Sequence, residues 1–506
     1  MSKFYITTAI PYVSGKPHIG NAYEMILADA ISRYKKSQGY DVYFQTGTDE
    51  HGEKILKKAQ QENITPQDFG DRASALVKYM WDLLDIKYDN FVRTTDKEHE
   101  KVVARVFEKL YKQGDIYLDN YEGLYCLACE SFYNEGDTKN GVCPECGAKL
   151  EAKKEEAYFF KVTKYQKFLE EYIKSHPDFI IPESRKNEML NTFIKQGLKD
   201  LCITRTSFDW GIKVPLNPKH VIYVWLDALL NYITGIGYDI DKTSEKFKKL
   251  WPADLQIIGK DILRFHVIYW PIFLKALDLP LPKQIFGHPW LLMNNDKMSK
   301  SKGNVIYPDE LVKKFGVDAI RFYTLFVISY NNDGNITYDL LLENYNSILA
   351  NNIGNLISRT FSMSLKYFSD SIKISKGDSQ FARFIEEKAA NYDKYFSELH
   401  IAKAIQEVVD LFDYGNKYVE KMEPWNLSKD DNKKEELEKV LYNLFELIRV
   451  GALLLNPVMP RGSGEIIASF NTKDSSLKYN PHNEYKIKEN LILFKRLKKE
   501  DISEAN

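Results

Sequence analysis

The 506 residues predict an α/β fold: a parallel sheet interrupted by a cysteine-bearing insertion and followed by an all-α bundle. Three observations predict it. Strand, loop, helix and strand follow one another within about 45 residues at the start, which is the pattern of a βαβ unit. Two CxxC pairs then break that rhythm, beginning at Cys126. From about residue 340 onward, Leu, Ile and Val recur at three-to-four spacing, as in NNIGNLISRTFSMSL and ELEKVLYNLFELIRVGALLL.

Residues 3–8, KFYITT, alternate and are β-prone, so they read as a strand. Pro11, Gly15 and Pro17 break the stretch after it. A helix is expected from about Asn21 to Ser37, with Gly39 as its stop. DVYFQTGTDEHG reads as a second strand ending in a polar cluster. Ligands of parallel sheets gather at the carboxyl ends of the strands. Both AIPYVSGKPHIGN and GTDEHG fall there. HVIYVWLDALLNYI and DLQIIGKDILRFHVIYW resume the strand–helix rhythm after the insertion, so the sheet is a Rossmann-type nucleotide-binding fold split in two. The expected divisions are 1–115 and 216–340 for its halves and 116–215 for the insertion with its zinc knuckle. Residues 341–480 form the helical domain and 481–506 a charged C-terminal segment.

Seventy Lys+Arg balance 71 Asp+Glu, a net charge of −1, so any RNA surface must be a local patch. No apolar run reaches the roughly 18 residues needed to span a membrane. The N-terminus MSKFYITTAIPY lacks the basic and apolar regions of a secretory signal, and a cytoplasmic location is expected.

Cys126 and Cys129 form CLAC, and Cys143 and Cys146 form CPEC. That spacing fits a tetrahedral zinc site, with two disulfides or unconnected thiols as alternatives. A cytosolic chain disfavours disulfides. Four protein ligands leave no open position, so the metal is expected to be structural, one per chain. Cys202 stands alone and reads as packing.

No GxxxxGK[ST] loop occurs, and no GxGxxG follows the first strand. Phosphates must be held another way. PHIGN places His18, Gly20 and Asn21 at the mouth of a helix, where free N–H groups and a partial positive charge suit a triphosphate. Gly20 leaves room for a purine, and His18 and Asn21 can donate hydrogen bonds. DKMSKSKGN places Lys297 and Lys300 in a Ser- and Gly-rich loop, suited to charge developing on a leaving pyrophosphate. Taken singly, each motif is also compatible with an ordinary helix start or a solvated turn.

Together, HIGN and KMSKS resemble the paired signatures of the class I aminoacyl-tRNA synthetases. AIPYVSGKPHIGNAYEMILADAISRY, TGTDEHGEKI, EGLYCLACE, YVWLDALLNY, IIGKDILRFHVIYWP, KMSKSKGNVI, NNIGNLISR, KMEPWNLSK and LLLNPVMP narrow that resemblance to the methionyl-tRNA synthetases, in the family's order and over nearly the whole chain. The family's first signature usually ends in His; here it is Asn21, a neutral donor.

The resemblance implies ATP-dependent activation of L-methionine, transfer to tRNA(Met), and Mg2+ with the ATP. It implies a methionine pocket of Ile10, Tyr12, Trp225, Ala228, Tyr232, His266 and Trp270. Asp49 would hold the ammonium, with Arg205 as its partner. His18, Gly20, Asn21, Glu24, Lys297 and Lys300 would serve ATP, with Gly259 and Asp261 near the ribose and His288 near phosphate. Asn351, Asn355 and Arg359, spaced by four on one helix face, would read the anticodon with Trp425. The family sometimes adds a C-terminal dimerising domain that this chain does not show, so a monomer is expected. Two rivals stand beside this reading. A synthetase for leucine, isoleucine or valine usually carries a large editing domain, for which the insertion is too short. A non-catalytic zinc-bearing RNA-binding relative would not need KMSKS, Asp49 and the pocket aromatics.

Overall fold

The computed structural model describes residues 2–503 apart from 127–130, 134–137, 139–140, 145–146, 299–302, 370, 375 and 471. The chain divides into two compact units. The first comprises Met1–Pro17, Lys35–Asp82 and Ile86–His288; the second comprises His18–Tyr34, Leu83–Asp85 and Pro289–Asn506.

The first unit is built on a six-stranded sheet in which every neighbouring pair is parallel. Its strands are β1 (Lys3–Thr8), β2 (Asp41–Thr48), β3 (Asn90–Arg93), β4 (Ile180–Ile181), β5 (Leu255–Gly259) and β6 (Ile285–His288). Their spatial order is 3-2-1-5-6-4. The order reverses at β1, which pairs with β2 on one side and β5 on the other. That is the switch point where the loops after neighbouring strands diverge and leave a crevice. The expected parallel sheet is therefore present, and β1 has the bounds read from its alternation. Buried Tyr5, Ile258 and Ile285 of the strands join one core with Phe107, Phe160, Ile173, Trp270 and Phe273.

Between β3 and β5 the chain builds a separate antiparallel sheet. Ile116–Cys126 pairs with Glu151–Phe160 from Ile116↔Phe160 to Tyr125↔Glu151, with Ser131–Tyr133 and Leu201–Cys202 at its edges. Cys126 and Cys143 lie in one small buried cluster with Leu150. The Cys143 N–H donates to the Ala148 carbonyl at 2.8 Å, and the Gly147 N–H to the Cys143 carbonyl at 2.9 Å. Gly147 has φ +72°, a left-handed conformation that lets so tight a turn close without strain. Cys129 and Cys146 lie outside the described residues, and no group of three or more potential metal ligands forms among those described.

The second unit contains the expected helical domain. Helices Ser379–Ser397, Ile401–Met422 and Lys434–Leu455 are its longest members in this region, and nearly all of Leu437–Leu455 is buried. Gly451 lets two of them meet closely: a Cβ there would lie 2.6 Å from Phe412 Cε2. The segment after helix Pro460–Ser469 is tied back by Arg449, which donates to the carbonyls of Asp474 and Lys478 and pairs with Glu446 at 2.8 Å.

The helix carrying HIGN runs Ile19–Ser37, two residues earlier than expected. Asn21 is not its cap. The His18 N–H donates to Asn21 Oδ1 at 3.2 Å, so a third-position side chain reaches back to the residue that opens the helix, half of a capping box.

Candidate active site

In the first unit, the loops after β1 and β2 leave the sheet together. The Asp49 N–H donates to the Pro11 carbonyl and the Val13 N–H to the Asp49 carbonyl, both at 3.1 Å. This short bridge pairs Tyr12 with Asp49 just past the strand ends. Asp49 is buried and Tyr12 half-buried, with the Lys54 ammonium 5.8 Å from the Tyr12 ring centre.

Tyr232, His266 and Trp270 form a second group. A π-helical turn over Phe265–Tyr269, immediately before helix Trp270–Ala276, carries His266. Such turns widen a helix locally and are frequent at functional sites. His266 Nδ1 lies 3.0 Å from the Ile262 carbonyl and Nε2 lies 2.8 Å from the Tyr232 hydroxyl. A carbonyl only accepts, so the proton sits on Nδ1, and Nε2 accepts from Tyr232. Burial lowers the imidazole pKa to about 4 despite the Ile262 carbonyl, so the ring is neutral. Trp270 is wholly buried, donates to Gln256 Oε1 at 3.1 Å and packs at 5.6 Å from Tyr232.

Half-buried Trp225 stacks on Phe265 at 3.6 Å between ring centres and meets His266 edge-on at 6.5 Å. Ile10, Tyr223 and Ala228 complete a small apolar cluster around it. Arg205 is buried; its guanidinium lies 4.1 Å from the Tyr223 ring and donates to the Thr204 carbonyl at 2.6 Å and Cys202 Sγ at 3.0 Å. At the ends of β5 and β6, Gly259 pairs with His288, and a Cβ on Gly259 would lie 2.8 Å from Asp261 Oδ1. Any larger residue at 259 would push against that carboxylate.

In the second unit, the Gly20 N–H donates to His18 Nδ1 at 3.1 Å. A neutral His18 therefore keeps its proton on Nε2, where it can be donated onward. A Cβ at Gly20 would lie 2.9 Å from His18 Cε1 and 3.4 Å from Met298 Cε, so the folded-back ring requires glycine. Asn21 is exposed. Its oxygen serves the cap, which leaves the NH2 as the donor end of the amide. The side chain of Glu24 is half-buried. Lys297 is exposed with its ammonium 4.1 Å from the Trp290 ring centre; Lys300 lies outside the described residues.

Also in the second unit, Asn351 lies in a π-helical stretch, Tyr345–Gly354, and Asn355 opens the α-helix that continues to Tyr367. The Arg359 guanidinium lies 5.9 Å from the ring of Trp425, which is 37% exposed.

The sequence reading missed one buried charged group in the first unit. His51 Nδ1 lies 2.6 Å from Asp227 Oδ2, and His99 Nε2 lies 2.7 Å from Asp227 Oδ1. The histidines of GTDEHG and KEHEK gave the only signal, and nothing along the chain pairs either with Asp227.

Residues 4–152 and 137–361 match the family described as tRNA synthetases class I (M), and residues 370–491 match the anticodon binding domain of methionyl tRNA ligase. The chain is 50% identical over 473 residues to the methionine–tRNA ligase of Clostridium acetobutylicum, covering 93% of this chain and 73% of that protein. It is 48% identical over 491 residues to that of Bacillus subtilis, covering 94% and 74%. Mycobacterium tuberculosis methionyl-tRNA synthetase in complex with methionyl-adenylate superposes with a TM-score of 0.93 at 36% identity, covering 97% of this chain and 100% of that one.

Proposed function

The chain belongs to the methionine family of class I tRNA synthetases, and from that premise we propose how its own residues carry the reaction. It is an aminoacyl-tRNA ligase that activates methionine with ATP and joins it to tRNA(Met). A methionine carboxylate oxygen attacks the ATP α-phosphorus, and the bond to pyrophosphate breaks. The hydroxyl of the terminal tRNA adenosine then attacks the adenylate carbonyl, and AMP leaves.

The neutral His266–Tyr232 pair is the observation that most supports the pocket assignment. Both polar groups are hydrogen-bonded within the protein, so what they offer a ligand is apolar ring edge. A thioether is polarizable and suits aromatic edges. A side chain needing hydrogen bonds would find its partners already engaged. Asp49 is assigned to the substrate ammonium, with Ile10, Tyr12, Trp225, Ala228 and Trp270 around the side chain. Arg205 holds the strand beside Tyr223.

Adenylation needs positioning and charge stabilisation, without a covalent nucleophile. His18 Nε2–H and the Asn21 NH2 are assigned to ATP phosphates, Lys297 and Lys300 to the departing pyrophosphate, Gly259 and Asp261 to the ribose, and Glu24 and His288 to the nucleotide. Bound Mg2+ would neutralise phosphate charge. Asn351, Asn355, Arg359 and Trp425 are assigned to the anticodon. The buried Cys126–Cys143 pair and the tight turn after Cys143 suit thiolate coordination of one structural zinc, completed by Cys129 and Cys146.

Among the described residues no helix is long and apolar enough to cross a membrane. A monomer in the cytoplasm is the expected state, which gel filtration and fractionation address. Methionine-dependent ATP–pyrophosphate exchange tests the function. Exchange supported equally by leucine, isoleucine or valine, or no exchange with methionine, would refute it.

A further inference from the structure

Three chain segments of the first unit meet at Asp227. It belongs to helix Val224–Leu229, which also carries Trp225 and Ala228. Asp227 is wholly buried and accepts from His51 with one oxygen and from His99 with the other. Behind them, His99 Nδ1 lies 2.7 Å from the Thr234 hydroxyl. His51 Nε2 faces Glu100 Oε1 at 3.7 Å. Both nitrogens of the His51 ring are thus directed at carboxylates, and carboxylates only accept. An imidazolium satisfies both; a neutral ring satisfies one.

The remaining surroundings of His51 are equally specific. Trp210 meets the ring edge-on at 5.4 Å and fixes the backbone by donating to the Glu50 carbonyl at 2.7 Å. Glu50 is engaged elsewhere, by Arg93 at 2.7 Å and 2.8 Å and by the Thr95 hydroxyl. Lys97 pairs with Glu100 from the solvent side at 2.8 Å. Asp49, two residues before His51, adds its negative charge to those of Asp227 and Glu100.

We propose that His51, clamped by Asp227 and Glu100 and backed by His99, is a positioning residue for the methionine ammonium: it supplies the positive charge beside Asp49 and ties the Asp49 segment to the helix bearing Trp225 and Ala228. This rests on the assignment of Asp49 and Trp225 to methionine. Burial opposes the charge on His51, but the attraction and hydrogen bond of Asp227, with Glu100 and Asp49, raise its pKa to about 10. The attraction is mutual, so a charged His51 also favours the ionised form of Asp49. Asp49 is itself buried, a setting that alone would favour its protonation. The relay therefore holds the ammonium-binding charge in place and fixes its distance from the thioether pocket.

The test is the methionine KM in pyrophosphate exchange, measured at about pH 6 and about pH 8. Wild type is expected to vary little. His51→Gln removes the charge that favours the ionised form of Asp49, a loss that tells most at low pH. Its methionine KM should rise roughly tenfold at the acid end and less at the alkaline end, the size expected for losing an adjacent opposite charge. The ATP KM should stay unchanged. His99→Gln keeps a donor on Asp227 and leaves His51 charged, so its methionine KM should stay flat with pH.

A methionine KM in His51→Gln equal to wild type, or raised equally at both pH values, overturns the proposal. If His51→Gln does not fold, ring NMR of His51 in the wild type decides. An imidazolium at about pH 8 supports the proposal, and a neutral ring there overturns it. Asp49→Ala separates the two levels. If it leaves the methionine KM unchanged, the assignment of the methionine site fails and the relay's role fails with it. If it raises KM while His51→Gln does not, only the relay's role fails.

Discussion

Arg321 meets Asp29 at 2.6 Å with both side chains wholly buried. Arg321 also donates to the carbonyls of Leu84, Pro457 and Val458 at 3.1, 3.1 and 2.9 Å. Asp29 receives a second cation, Arg33, at 2.7 Å. Within the second unit this fastens the signature helix Ile19–Ser37 to helix Val317–Val327. Arg321→Ala would leave three carbonyls without their donor and Asp29 with Arg33 as its remaining cation, a loss of about 3 kcal/mol, the lower end for breaking a buried pair. A much lower urea midpoint is expected, with a smaller fall for Asp29→Asn, which keeps an acceptor. Equal midpoints for Arg321→Ala and wild type would show that the pair contributes nothing net.

Asn21 Oδ1 accepts from the His18 N–H, and its NH2 is the group assigned to the phosphates. A neutral histidine could do both, one ring nitrogen accepting and the other donating. Asn21→His should therefore keep or raise the exchange rate. Asn21→Ala should lower it through ATP and also weaken the helix start by about 1 kcal/mol, as lost caps do. An alanine variant with wild-type ATP kinetics would move the phosphate role elsewhere.

Lys300 is assigned to the transition state of adenylation. Lys300→Ala should slow adenylation about a hundredfold, the usual effect of losing one stabilising donor, with little change in methionine affinity. Unaltered exchange kinetics would rule the role out.

Trp425 follows Pro424, whose ring occupies the first turn of the short helix Pro424–Leu427, and its own indole is 37% exposed with Arg359 beside it. Stacking on an unpaired base is worth about 1–3 kcal/mol. Trp425→Ala should weaken aminoacylation roughly tenfold by that estimate, and exchange without tRNA should stay intact. Equal losses in both assays would mean that the indole holds the helices together.

The zinc assignment predicts one zinc per chain by metal analysis. Cys126→Ser combined with Cys143→Ser should abolish it and make the insertion sensitive to limited proteolysis, because metal binding and local folding are coupled. Two disulfides by mass spectrometry, with no metal, would overturn this.

Local features were legible in the sequence, and paired features were not. KFYITT is β-prone from end to end, so the bounds of β1 could be read directly, whereas the burial of its last four residues on both faces could not. The sequence pattern predicts a helix start near Asn21, and asparagine is also a common cap. In the structure it serves the third position instead, and a single sequence does not distinguish the two. Trp270 and Trp225 look alike in composition, yet one is wholly buried and the other half-exposed. Only the family resemblance assigned them to a pocket. Arg321 and Asp29 lie 292 positions apart, and His51 and Asp227 lie 176 apart. No periodicity connects residues at such distances.

The strand order has a consequence for biosynthesis. β1 is central, but its partner β5 begins so much later that the Tyr5 N–H and the Asp254 carboxylate that accepts from it are 249 positions apart. At synthesis rates of about 5–20 residues per second, β1 waits roughly 12–50 s on the ribosome before β5 exists. Once β3 has also been made, and until β5 appears, a β1–β2–β3 sheet would present β1 as an open edge able to pair with another nascent chain. Crowded translation of this chain should therefore depend on whatever shields that edge, and slowing elongation before residue 255 should lower the folded yield.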